Sequence, residues 1–151
     1  AWTPEEDTNK LKLPAGKIIL TADDSPLARG MIESGLKALD VPFISTKTGL
    51  EAWKKIQSMS DAAIAEGKTI QDKIALVLTD LEMPEMDGFT LTRNIKGDQR
   101  FKSIPVVIHS SLSGAANENH VKSVGADAYV AKFVATELAT TIRKVISQAQ
   151  N

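Results

Sequence analysis

Two rhythms of apolar residues alternate along the chain. Residues 17–22 (KIILTA), 41–46, 74–79 (IALVLT), 105–108 and 128–131 are short, nearly continuous apolar runs of strand length. Between them apolar positions recur at helical intervals. Leu27, Met31, Ile32, Leu36 and Leu39 mark a helix over 26–39, and Leu50, Trp53 and Ile56 one from Thr48 to about Glu66. Leu91 and Ile95 mark 88–95, Val121 and Val124 mark 117–124 with Gly125 as its stop, and Leu138, Ile142, Val145 and Ile146 mark a final helix. Strand followed by helix, five times, predicts an α/β fold: a parallel sheet with helices on both faces and right-handed crossovers. Continuous rather than alternating apolar strands suit a sheet buried on both sides. The stretch 58–73 either prolongs the second helix or holds a loop at Gly67-Lys68-Thr69. Residues 1–16 show no such period; two prolines and the Glu5-Glu6-Asp7 cluster read as a linker or leader before one domain at 17–151.

Composition narrows the function classes. The chain has 151 residues, 42% hydrophobic and 25% charged, enough for one domain with a full core. Lys plus Arg is 18 against 19 Asp plus Glu, a net charge of -1, which argues against a general nucleic-acid binder. There is no Cys, so disulfides, thiolate metal sites and a Cys nucleophile are excluded. No apolar run approaches a membrane span and no signal-peptide pattern opens the chain, so the expected address is cytoplasmic.

The polar residues at the strand ends carry the chemistry. Asp23 and Asp24 follow the first strand, Asp80 ends the third, Ser110 and Ser111 end the fourth, and Lys132 ends the fifth. In a doubly wound sheet these ends share the edge where ligands bind. Three carboxylates brought close cannot all stay ionised without a counter-charge. Mg2+ would supply it through oxygen ligands, and it pairs readily with phosphate. A carboxylate can serve as nucleophile and form an acyl phosphate. Lys132 offers a point charge and Ser110 a hydroxyl for phosphoryl oxygens. Taken singly each residue has a plainer reading. An Asp pair before a helix is more often an N-cap arrangement, and Ser25-Pro26 fits that too. His109 reads as a packed side chain rather than a ligand. The four strand ends together reverse those odds.

The segments ILTADDS (19–25), LVLTDLEMPEMDG (76–88), PVVIHSS (105–111) and AYVAKF (128–133) resemble the receiver domains of two-component response regulators, the CheY-like family. The resemblance spans about 17–147 and implies a flavodoxin-like (βα)5 sheet of order 2-1-3-4-5. It implies Asp80 as phosphoacceptor and Asp23, Asp24 and the Glu82 backbone carbonyl as further Mg2+ ligands. It also implies Ser110 as the switch hydroxyl, Lys132 as the site lysine and Tyr129 as the aromatic coupled to Ser110. Partners would be a CheA-like histidine kinase as phosphodonor and a chemotaxis signalling or output protein, with no nucleic acid and no membrane insertion. Family members place Pro after the lysine; here it is Phe133. That residue, VIHSSLSG and the long second helix are most similar to the receivers of CheV-type coupling proteins, where a CheW-like domain precedes the receiver. A phosphorylation switch is therefore expected. The competing enzyme is a haloacid-dehalogenase-type Mg-dependent phosphatase with an aspartyl-phosphate intermediate. Glu82 in place of its second Asp, and the leading acid pair, argue against it.

Overall fold

The structure, a computed structural model, describes Leu13 and residues 16–110, 122–131 and 135–150. Strands are β1 (Ile18–Ala22), β2 (Phe43–Thr46), β3 (Ile74–Asp80), β4 (Val106–Ser110) and β5 (Ala128–Ala131). Helices are α1 (Pro26–Ala38), α2 (Gly49–Ala65), α3 (Gly88–Gly97) and α4 (Ala135–Gln150), with a 3-10 turn at Ile70–Asp72. All strand pairs are parallel and the order is β2-β1-β3-β4-β5, as the resemblance implied. Most of the linker expected over 1–16 and most of the helix expected over 117–124 lie outside the described residues.

The sheet divides two apolar layers by strand alternation. Leu20, Ala22, Val77, Val106 and Ile108 face α2 and α3, meeting Ala52, Ile56, Leu91 and Ile95. Ile19, Leu76, Leu78, Val107 and Val130 face α1 and α4, meeting Ile32, Leu36, Ile142, Val145 and Ile146. β1, β3 and β4 are buried on both faces, which is why their sequences are nearly unbroken apolar runs, while the edge strand β2 is largely half-buried. The second helix differs from its expected stripe. Its buried side is Ala52, Ile56, Ser60 and Ala63, while Leu50 and Trp53 are only half-buried. Small residues let the helix axis approach the sheet, and Trp53 packs at the rim, edge-on to Phe101 at 5.5 Å between ring centroids. That helix ends at Ala65; Gly67, at φ +77, turns the chain into the 3-10 turn, so both the extension and the loop expected in 58–73 are present.

Local chemistry sets the helix starts. Ser25, not the acid pair, caps α1: its Oγ accepts from Ala28 N at 3.3 Å, and Pro26 takes the first helical position. Thr48 caps α2 through Glu51 N, and Asp87 caps α3 through Thr90 N at 2.7 Å. Among the described residues no helix is long and apolar enough to cross a membrane.

Candidate functional site

With Ser25 serving as the cap, Asp23 is available for other work. It directly follows β1, and its N–H extends the ladder to Thr46 O at 3.1 Å. Its carboxylate turns inward, 1% exposed, and Oδ1 accepts from Ser25 N at 2.9 Å. Asp24 is exposed and is not among the side chains that converge. Asp80 closes β3 at 4% exposure, and its Oδ1 accepts from Leu81 N at 2.7 Å, which fixes the carboxylate's rotation. The chain then loops back. Gly88 N donates to Leu81 O at 2.8 Å, and Glu85 and Met86 lie at φ 60 and 130. Glu82 is exposed in this loop.

Asp23 and Asp80 converge, as the strand-end argument expected, and a third group joins them. One ligand atom from each of Asp23, Asp80 and His109 lies within 4.8 Å of the others, and all three residues are buried. His109 Nδ1 stands 3.8 Å from Asp23 Oδ2. The sheet register explains the imidazole. Asp80 and His109 are direct partners across β3 and β4, so their side chains emerge on the same face. Reading His109 as a packed residue was right about burial and missed the acids beside it. Its only sequence signal was its place directly before Ser110, and the register that gives the place meaning is a tertiary fact.

Ser110 ends β4 at 2% exposure. Alternation sets it on the other face, with Val106 and Ile108. Tyr129 is the β5 partner of Ile108 and packs on that same layer, two register pairs from Ser110. Lys132 and the Lys132-Phe133 peptide lie outside the described residues. Two carboxylates and an imidazole, all buried and convergent, form a donor set fit for a divalent cation.

An inward acid pair at the carboxyl ends of the two central strands, in a sheet of this order, defines a receiver-type phosphoacceptor fold. The chain belongs to the response regulator receiver domain family, which matches residues 19–143. It is 30% identical over 155 residues to the chemotaxis protein CheV1 of Helicobacter pylori, an alignment covering 98% of this chain and 45% of that protein. The chain thus spans less than half of that relative's length. Among solved structures it resembles a point mutant of the receiver domain of the histidine kinase CKI1 from Arabidopsis thaliana. The TM-score is 0.78 at 25% identity, covering 95% of this chain and 97% of that one. It shares the fold of the receiver domain of the sensor histidine kinase PA1611 from Pseudomonas aeruginosa, solved with a magnesium ion coordinated in its active-site cleft. There the TM-score is 0.72 at 22% identity, covering 88% and 99%. Receivers are phosphoacceptor switches rather than turnover enzymes, and the haloacid-dehalogenase alternative finds no support.

Proposed function

We propose that Asp80 is the phosphoacceptor of a chemotaxis-type receiver, fed by a CheA-like histidine kinase or a small acyl phosphate. The observation that carries this is the buried Asp23–Asp80 pair at the edge of a receiver-family sheet. An Asp80 carboxylate oxygen attacks phosphorus; the new O–P bond forms as the donor's N–P or O–P bond breaks, and the leaving group departs with that electron pair. The Leu81 N–H holds the attacking carboxylate in one rotation, which spares orientational entropy. Asp23 and Asp80, with Asp24 through water and the Glu82 carbonyl, would hold Mg2+, which neutralises charge between carboxylate and phosphoryl oxygens. Ser110 and Lys132 would meet phosphoryl oxygens on the product. The group adds roughly -1.5 to -2 charge at the site. Its pull on Ser110 makes room for Tyr129 to turn inward, biasing the surface around β5 and α4 between two states.

Similarity to a CheV protein supports placing this receiver after a CheW-like coupling domain, with residues 1–16 as the connection, in a cytoplasmic chemotaxis complex. Slow hydrolysis of the aspartyl phosphate by the domain itself belongs to the same reading. Intact-mass analysis after incubation with acetyl phosphate tests it. One labile phosphoryl adduct should form on the wild type with Mg2+, and none without Mg2+ or on Asp80→Asn. A wild-type chain that stays unmodified and also gives no response to beryllium fluoride sinks the assignment. Ser110→Ala should keep the adduct and lose the amide chemical-shift changes around Tyr129; if those changes persist in full, Ser110 is not the switch.

A further inference from the structure

The third member of the buried cluster is a nitrogen donor. We propose that His109 completes, with Asp23 and Asp80, a two-carboxylate, one-imidazole site, and that this site prefers borderline first-row ions such as Co2+, Ni2+ and Zn2+ to Mg2+. The inference rests on the receiver reading, because it uses the same two acids.

The geometry is close to that of a ligand set. Donors about 2.1 Å from one ion lie no more than about 4.2 Å apart. His109 Nδ1 and Asp23 Oδ2, at 3.8 Å, already meet that limit. The widest separation in the trio is within 4.8 Å, so closing on an ion needs a shift of a fraction of an ångström. The arrangement is built into the backbone rather than a surface rotamer. β4 carries His109 in register with Asp80, with Val107 on the same face beneath it, and His109 is 2% exposed. Valine or isoleucine fills the positions before it on this strand, at 106, 107 and 108. At the fourth position the strand brings an imidazole to two carboxylates.

The chemistry then selects the ion. Mg2+ takes oxygen ligands and parts reluctantly with its waters, so a ring nitrogen adds little to its binding. Imidazole suits Ni, Cu and Zn, and affinity for mixed nitrogen and oxygen sites climbs along the first row toward them. Three protein donors leave coordination positions for water or for a phosphoryl oxygen, so such an ion remains compatible with phosphoryl uptake at Asp80.

Calorimetric titration of the metal-stripped full chain with Co2+ and with Mg2+ tests this on wild type and His109→Leu. Co2+ should bind the wild type far more tightly than Mg2+. His109→Leu should lose about tenfold or more in Co2+ affinity and change Mg2+ affinity by less than about threefold. An unchanged ratio of the two affinities overturns the proposal and leaves the receiver reading standing, as does tight Mg2+ binding with weak Co2+ binding in the wild type. If neither ion binds, both the proposal and the Mg2+ part of that reading are overturned. A second measurement needs no change at His109. The chain has two histidines, so Co2+ added to His120→Asn should give a strongly shifted, exchangeable imidazole N–H proton in the NMR spectrum. Its absence in a Co2+-loaded sample overturns the proposal.

Discussion

At Gly88 the backbone runs so near the Asp80 carbonyl that a Cβ would strike its oxygen, with Leu81 Cα at 3.0 Å and Asp80 C at 3.1 Å beyond it. The neighbours are backbone atoms, which cannot rotate away as a side chain can. Gly49 presents the same problem on the far side of the loop, where a Cβ would meet the Met86 carbonyl. The loop from Leu81 to Asp87 is thus pinched between the first turns of α2 and α3. Met86 at φ 130 is held in a conformation that a non-glycine residue adopts only when its surroundings enforce it. Gly88→Ala is therefore expected to lose about 1–3 kcal/mol of stability, the usual cost of overpacking. Urea unfolding measures it, and a change below about 0.5 kcal/mol would mean that the loop yields freely. Because the displaced atoms belong to Asp80 and Leu81, phosphoryl uptake from acetyl phosphate should slow even where the variant is fully folded. Glycine here is needed for space rather than for an unusual φ. The motif stretch 76–88 signalled the loop, but the backbone contact that explains its glycine is tertiary.

Between elements, Lys96 in the last turn of α3 ties the helix to the far edge of the sheet. Its Nζ donates to Asp127 Oδ2 at 2.9 Å and to the carbonyls of Ile104 at 2.8 Å and Lys102 at 3.2 Å. The same Asp127 oxygen accepts from Val106 N at 2.7 Å, where β4 begins. Asp127→Ala would strip an acceptor from both donors, so about 1–3 kcal/mol should be lost. Asp127→Asn, which keeps an acceptor oxygen, should lose less. Equal losses in urea would show that the charge rather than the hydrogen bonds matters. None of this tie was legible in the sequence, since it joins residues 31 apart through a loop carbonyl and a strand end. The elements themselves were legible, for a physical reason. A strand buried on both faces has to be largely apolar, as β1, β3 and β4 are, and such runs separated by helical spacing admit few architectures. Register was not legible, because continuous apolar runs carry no alternation to mark which side chain faces which way. Asp23 and Asp24 therefore read as equivalent acids, and only the structure turns Asp23 inward beside His109.

Over the whole molecule, function and stability use opposite edges of the sheet. The carboxyl edge gathers Asp23, Asp80 and His109, an arrangement suited to binding a cation. The other edge, where the chain enters β3 and β4, carries ordinary ion pairs: Lys73 with Glu66 at 2.9 Å and Arg100 with Asp98 at 2.8 Å. Hydrogen bonds from the Lys73 ammonium and the Thr69 backbone hold Glu66 and Asp72 below the usual carboxylate range. The Arg100 guanidinium does the same for Asp98 by gripping both its oxygens, while also lying 4.5 Å over the Phe101 ring. A carboxyl whose folded pKa is depressed contributes stability above its unfolded pKa of about 3.9 and loses it as pH falls through the lower folded value. The Asp98 pair is partly solvated, so its worth is about 0.2–1 kcal/mol. Asp98→Asn should therefore be less stable than wild type by that amount at pH 7 and at pH 5, and the gap should close below about pH 4. Urea titrations at several pH values would measure it, and a gap that widens on acidification would reverse the sign argued here. Because Asp98 lies at the edge remote from Asp80, the same variant should take up phosphoryl from acetyl phosphate at the wild-type rate. A matching loss of uptake would mean that the two edges are coupled through β3 and β4.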